Sequence, residues 1–241
     1  MAQQVSPATE ARRTSKRIPH IVLQITGLIA LLSLLTGLAL AFLYAPPDAV
    51  QGNVQRIMYI HVPMAWVAYQ AFFVVFVSSI GYLWRKTRGW DRVAHASAEL
   101  GVMFTGLAII AGSVWGKPTW GTWWTWDARL TTTTILLLIY AAYLMLRTYS
   151  GGSERAARHA AVLGIIGFLD IPIIHYSVVW WRTLHQPPTV LRSGGPTIDS
   201  PMLLTLLLNV AAFSFFYLYL LLYRIEVARL KDLALVWRKE R

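Results

Sequence analysis

Two stretches of this chain contain no charged side chain over more than twenty residues, and this feature restricts the fold more than any other. They run from Ile21 to Pro47 and from Ser200 to Tyr223. A helix needs roughly 20 predominantly apolar residues to cross about 30 Å of hydrocarbon. Each stretch therefore predicts a transmembrane helix. The first is also longer than the apolar region of about 7 to 15 residues in a signal peptide, so we expect it to remain as the first helix.

Four further apolar runs have the same character, which gives six predicted spans in all. The predicted spans are Ile21 to Leu43, Ile57 to Leu83, Val93 to Trp115, Leu130 to Leu146, Ala160 to Trp181 and Met202 to Tyr223. Glu99 and Asp170 fall within or at the edge of the third and fifth runs. The chain is therefore predicted to be an all-α integral membrane protein, with residues 1–241 forming a single six-helix domain.

The distribution of basic residues predicts the orientation of these spans. The chain has 22 Lys and Arg against 11 Asp and Glu, a net charge of +11. Seventeen of the basic residues fall on the side that holds both termini and five on the other. Positive charge favours the cytoplasm, so an arm at 1–20 and a tail at 224–241 are predicted to be cytoplasmic. The excess charge thus follows from topology, and no nucleic-acid partner is expected.

The second outer connection is unusually rich in tryptophan and has the sequence WGKPTWGTWWTWDARLT. The tryptophans are Trp115, Trp120, Trp123, Trp124 and Trp126. An aromatic belt at the headgroup level accounts for one or two such residues. However, positions 120, 123, 124 and 127 have the i, i+3, i+4, i+7 spacing of one helix face, which predicts a short interfacial helix. Its indoles would form a platform for a large planar ligand.

Two of the six histidines are predicted to lie at this outer face. His61 precedes Pro63 near the start of the second span, and His185 precedes Pro187 and Pro188, which are expected to end the fifth. The absence of cysteine excludes disulfides and zinc–thiolate sites. Haem iron takes axial imidazole nitrogens, whereas catalytic zinc would need a third protein ligand. We therefore expect His61 and His185 to bind haem iron.

The haem propionates would need cationic partners on the same face. Arginine pairs well with carboxylates because its guanidinium can donate two parallel hydrogen bonds. The outer arginines nearest to these elements are Arg129, Arg56 and Arg182. Of the other four histidines, His20, His95 and His159 lie near the predicted cytoplasmic boundary, and His175 lies ten residues before His185.

These residues resemble a known family of membrane proteins. The tryptophan-rich motif and the flanking segments IMYIHVPMAW and PIIHYSVVWWRTLHQ are similar to those of the cytochrome c maturation protein C family, the haem exporter C proteins. The resemblance covers roughly residues 20 to 225. It implies non-covalent haem b, with His61 and His185 as axial ligands. It also implies that the tryptophan motif, with Asp127 and Arg129, holds haem and presents it to a membrane-anchored haem chaperone.

The resemblance further implies that the chain acts beside the ATPase and membrane subunits of an ABC transporter and a small single-span subunit, in contact with membrane lipid. The chain has no GxxxxGK[ST] loop, so ATP hydrolysis would belong to those partners. No classical enzymatic activity is expected, and two roles stay open: the chain either promotes covalent attachment of haem to its chaperone or only presents haem to it. Two alternatives remain, a secondary transporter that moves haem or another small molecule through the bundle and a structural ABC subunit without a ligand.

Three acidic residues allow more than one interpretation. Asp127 directly precedes the fourth span, so it would cap that helix, orient Arg129 or contact the chaperone. Asp170 lies at membrane depth, two residues before Pro172 and five before His175, which favours a polar pair in a kinked helix over a proton relay. Glu99 is spaced i, i+4 from His95, which predicts a pair on the helix surface.

Overall fold

The computed structural model describes residues 17–149, 153–186, 189–190 and 194–239. The basic residues of the N-terminal arm before Arg17, together with Pro187, Pro188 and Arg192, lie outside the described residues. Within them the chain forms seven α-helices. The helices are α1 (His20–Ala39), α2 (Met58–Arg85), α3 (Arg88–Trp120), α4 (Ala128–Tyr149), α5 (Glu154–Phe168), α6 (Asp170–Trp180) and α7 (Ser200–Lys239).

The prediction of six spans is confirmed, because six helical segments of the described residues are long and apolar enough to cross a membrane. The helices are longer than the apolar runs that predicted them. A π-helical turn, Leu40–Tyr44, extends α1, and a 3-10 turn, Asn53–Ile57, precedes α2. In the third span α3 begins at Arg88 and ends at Trp120. Polar helix ends outside the hydrocarbon explain this difference, since hydropathy detects only the apolar part of a helix.

The second helix lies at the centre of the bundle, packed against α3, α5 and α7, while α1 packs mainly on α7. Small residues permit this close approach, as is usual between membrane helices. A Cβ added at Gly101 of α3 would lie 2.4 Å from a ring carbon of Phe72. The ring of Phe72 in turn stacks on Tyr140 of α4 at 3.7 Å between centroids. This packing fixes α2, the helix that carries His61, against α3.

The fifth span is broken into α5 and α6 at Leu169. Pro172 explains the break because it has no N–H to donate to the carbonyl one turn earlier. The predicted kink is therefore confirmed, but the predicted polar pair is wrong. Among the described residues Asp170 is buried with Oδ2 unpaired, and the ring of His175 lies beside Tyr176 at 5.1 Å.

The alternating helices place different chemistry at the two ends of the bundle. The end that holds Arg17 and the C-terminus of α7, here called the terminal end, is tied together by interhelical ion pairs. These pairs are Asp91–Arg147 at 2.6 Å, Arg92–Asp232 at 2.8 Å and Glu99–Arg224. The predicted His95–Glu99 pair is present at 3.7 Å, but Arg224 is the closer partner of Glu99. The opposite end, here called the tryptophan end, contains residues 45–57, 116–129, 181–186, 189–190 and 194–199.

Candidate functional site

His61 lies in the first turn of α2 at the tryptophan end, and its ring faces α3. Its Nδ1 is 2.9 Å from the carbonyl oxygen of Ala108. A carbonyl can only accept, so Nδ1 carries the proton and donates it, and Nε2 retains its lone pair. The ring also meets the edge of Trp115 at 5.8 Å between centroids. His61 is thus oriented by α3 with one nitrogen able to bind a metal.

The space for this imidazole exists because α3 has a glycine beneath it. A Cβ added at Gly112 would lie 2.8 Å from Cε1 of His61 and 3.2 Å from Nδ1. Those distances are shorter than carbon–carbon contacts of about 3.5 to 4.0 Å. Gly112 therefore determines how closely the ring can approach α3, a role that nothing in its apolar sequence surroundings indicates.

His185 lies beyond the fifth span, in the irregular segment 181–186. The expectation that it would sit at the end of a helix stopped by the following prolines is wrong, because α6 already ends at Trp180, where Trp181 adopts an extended conformation. The backbone N–H of His185 donates to Oγ1 of Thr183 at 3.1 Å. Its ring meets Trp120 edge-on at 4.7 Å. A side-chain turn, not a helix end, thus positions this imidazole.

Asp127 joins that imidazole to the start of α4. Its Oδ1 accepts the N–H of Leu130 at 2.8 Å, which is the predicted helix cap. Its Oδ2 accepts from Oγ1 of Thr183 at 2.6 Å and lies 3.1 Å from Nδ1 of His185. The contact with His185 spans 58 positions of the chain, and no local sequence signal predicts it.

The electrostatics of this pair favour a carboxylate beside a neutral imidazole. Burial raises the pKa of Asp127, but the hydrogen bonds from Leu130, Thr183 and His185 together lower it below its ordinary value. Burial also lowers the pKa of His185, although the neighbouring carboxylate opposes that shift. Nδ1 of His185 therefore donates to Asp127 and Nε2 is left with its lone pair.

Arg129, the second residue of α4, lies near both imidazoles. The positive charge of Arg129 lies within the range of electrostatic interaction with the rings of His61 and His185. The two rings lie within the same range of each other. Arg129 also approaches Tyr69 on α2. The structure therefore brings together His61, His185 and Arg129, which are far apart in sequence.

Arg56 lies elsewhere at the same end. Its guanidinium donates to the carbonyl of Ala41 and, through Nε, to Oδ1 of Asn53 at 3.1 Å. It lines a cleft of about 490 Å³ between the end of α1 and the start of α2. The other residues of the cleft are Phe42, Asn53, Ile57 and Ile60. The contact with Ala41 therefore holds Arg56 against the π-helical turn that extends α1.

The predicted short helix of tryptophans is wrong, because α3 ends at Trp120 and residues 121–127 are irregular. Gly121 ends the helix in a left-handed conformation with φ of 77°, and its N–H donates to the carbonyl of Lys117. The side chains of Trp123 and Trp126 are 58% and 74% exposed. Trp124 packs edge-on to Trp126 at 5.3 Å. The exposed indoles therefore project from a loop rather than from one helix face.

Trp115 has a structural bond as well as its contact with His61. Its Nε1 donates to Oε1 of Gln51 at 2.8 Å. Gln51 lies in a turn closed by Asp48, whose Oδ1 accepts the N–H groups of residues 50 and 51. The connection between α1 and α2 is thereby fastened to α3 beside His61.

Comparison with known proteins identifies close relatives along nearly the whole chain. The sequence profile described as heme exporter protein C matches residues 4–236. The chain is 45% identical to the heme exporter protein C of Bradyrhizobium diazoefficiens over 188 residues, 77% of this chain and 71% of that protein. It is 37% identical to the protein of the same name from Escherichia coli K12 over 233 residues, 93% of this chain and 91% of that protein. A putative cytochrome c biosynthesis ccmC-like mitochondrial protein of Marchantia polymorpha is 39% identical over 183 residues, 75% of this chain and 77% of that protein.

Proposed function

The chain belongs to the heme exporter protein C family, and from this premise we propose that it holds haem b between His61 and His185 at the tryptophan end. The observation that carries the proposal is that both imidazoles are hydrogen-bonded through the same ring nitrogen. Each uses Nδ1 in a hydrogen bond and leaves Nε2 with a lone pair. Axial haem ligation requires such nitrogens, and metal-bound histidines commonly donate their other N–H in this way.

The surrounding side chains fit the rest of a haem molecule. Arg129 lies near both histidines, where its guanidinium would pair with a propionate. The exposed indoles of Trp123 and Trp126 offer flat apolar surface to a porphyrin or to a partner that receives it. The chain has no cysteine, so thioether attachment to this protein is excluded and the haem would be held non-covalently.

We further propose that the tryptophan end faces outward from a bacterial inner membrane and presents haem to a membrane-anchored chaperone for cytochrome c assembly. The distribution of basic residues supports this orientation, with seventeen on the side of the termini and five on the other. An ABC-type ATPase with its membrane subunit, and a small single-span subunit, would complete the complex. The chain itself lacks a phosphate-binding loop.

The absence of native cysteine makes the orientation directly testable. A membrane-impermeant maleimide added to intact spheroplasts should label Val50→Cys and not Tyr149→Cys. Both side chains are exposed, at 93% and 83%, and they lie at opposite ends of the bundle. Labelling of Tyr149→Cys alone would reverse the orientation.

The haem proposal is tested by purifying the protein from haem-replete cells and comparing visible spectra. We expect His61→Ala and His185→Ala each to lose the low-spin spectrum, and the double variant to lose nearly all haem. His159→Ala is the matched control, because that exposed histidine lies on α5 at the terminal end. Unchanged haem content in the double variant would contradict the proposal.

One observation favours a second candidate, a transporter that carries haem through the bundle. Such proteins use interrupted helices near the membrane midplane, and the fifth span is broken beside the buried Asp170. Haem loss in His175→Ala, with haem retained in the two variants at the tryptophan end, would favour transport. Haem-free protein that still supports complex assembly would instead favour a purely structural subunit.

A further inference from the structure

The two candidate ligands differ in what holds them. His61 donates through Nδ1 to the backbone carbonyl of Ala108, whereas His185 is paired with the carboxylate of Asp127. A carboxylate is the stronger acceptor because it is charged. The difference is built into the fold, since the Asp127 side chain is only 8% exposed and both of its oxygens are engaged.

We propose that Asp127 is a positioning residue that fixes the His185 tautomer and makes His185 the stronger electron donor of the two ligands. The part of this inference that concerns haem ligation rests on the proposed function. The part that concerns the orientation and tautomer of the His185 ring does not. Partners beyond the ligands set the basicity and direction of metal-bound histidines, and their loss commonly lowers metal affinity roughly 10- to 100-fold.

The cap on α4 explains why this carboxylate can hold only one orientation. Oδ1 is committed to the N–H of Leu130, so Oδ2 must face Thr183 and His185. Rotating the group would remove the cap as well as the contact with the ring. The start of α4, which carries Arg129, is therefore fixed in place relative to His185 by one side chain.

Asp127→Asn tests the proposal because it preserves shape and cap while it reverses the two hydrogen bonds at Oδ2, those from Thr183 and His185. The amide oxygen still accepts from Leu130, and this places the amide NH₂ toward Nδ1 of His185. An NH₂ group donates, so Nδ1 must accept and the ring proton moves to Nε2. A protonated Nε2 has no lone pair for iron. Asp48→Asn is the matched control, because it also removes one carboxylate at this end and retains an oxygen for the turn at 48–51.

The first measurement uses haem-free protein in detergent with ¹⁵N-labelled histidine. We expect His185 to be protonated at Nδ1 in the wild type and in Asp48→Asn, and at Nε2 in Asp127→Asn. Protonation of Nε2 in the wild type, or an unchanged tautomer in Asp127→Asn, would overturn the inference. The expected tautomer of the wild type can be tested without any variant. The inference therefore stays falsifiable even if a variant does not fold.

The second measurement adds iron protoporphyrin IX. We expect Asp127→Asn to show a high-spin ferric spectrum and roughly 10- to 100-fold weaker binding, with the low-spin spectrum restored by added imidazole. Asp48→Asn should match the wild type. A low-spin wild type with an unaltered Asp127→Asn spectrum would refute the positioning role alone. A wild type that has the expected tautomer but binds no iron porphyrin would refute the proposed function while the orienting contact stands.

Discussion

Gly112→Ala should displace His61 without changing any polar group, which makes it a sharp test of the packing beneath that ring. The added Cβ would lie 2.8 Å from Cε1 of His61 and 3.7 Å from Nε2. A normal carbon–carbon contact is about 3.5 Å or more, so the ring or α3 must withdraw by roughly 0.7 Å. The ring cannot withdraw so far and keep its 2.9 Å bond to Ala108.

The expected magnitude follows from the two interactions that change. Overpacking by one methyl group costs about 1 to 3 kcal/mol, and the loss of a neutral hydrogen bond adds about 0.5 to 1.5 kcal/mol. A displacement of roughly 0.7 Å also exceeds the tolerance of about 0.2 Å on a metal–ligand distance. If the strain is expressed in the haem-bound state, affinity should fall on the order of 10- to 1,000-fold, because each 1.4 kcal/mol changes a binding constant about tenfold.

The assay is titration of purified protein with iron protoporphyrin IX, followed by its visible spectrum, together with thermal unfolding in the same detergent. Gly106→Ala is the matched control, since it lies on the same helix and a Cβ there meets nothing within 4 Å. We expect the control to bind like the wild type and Gly112→Ala to lose low-spin character. Equal affinities and spectra for the two variants would refute the reasoning about His61.

Three further predictions concern charge, exposed aromatic surface and helix packing. Arg129→Gln should weaken haem retention roughly tenfold or more, because a charge-assisted hydrogen bond contributes about 1.5 to 3 kcal/mol; equal losses in Lys117→Gln, measured by haem titration, would remove the propionate assignment. Trp126→Ala should leave thermal unfolding unchanged, as the side chain is 74% exposed, while haem transfer to a chaperone falls; a lowered unfolding temperature would show a packing role instead. A double-mutant cycle on Glu99→Gln and Arg224→Gln should give a coupling of about 1 kcal/mol in thermal unfolding, since these partly exposed groups are screened, and zero coupling would contradict a stabilising pair.

Hydropathy and charge sufficed for the six spans, because a membrane requires long apolar helices wherever the chain crosses it. The break in the fifth span was also predictable, since Pro172 removes a backbone donor. The alternation of the spans then placed His61 and His185 at one end of the bundle. That much of the candidate site depends only on local sequence patterns and topology.

The remaining geometry depends on contacts that local patterns do not encode. Helical spacing suggested a face of tryptophans, but Gly121 ends the helix after Trp120 and the periodicity has no structural counterpart. The space for His61 depends on how α2 packs against Gly112. The pairing of Asp127 with His185 requires two loops to meet, and the sequence around Asp127 predicts only its role as a helix cap.

A structure of the haem-loaded protein in a lipid nanodisc tests the central claim most directly. We predict iron at the tryptophan end, bonded to Nε2 of His61 and Nε2 of His185 at about 2.0 to 2.1 Å. The Nδ1 atoms should still face Ala108 and Asp127. Iron bound by any other side chain, or haem lodged beside His175 within the membrane, would contradict the account.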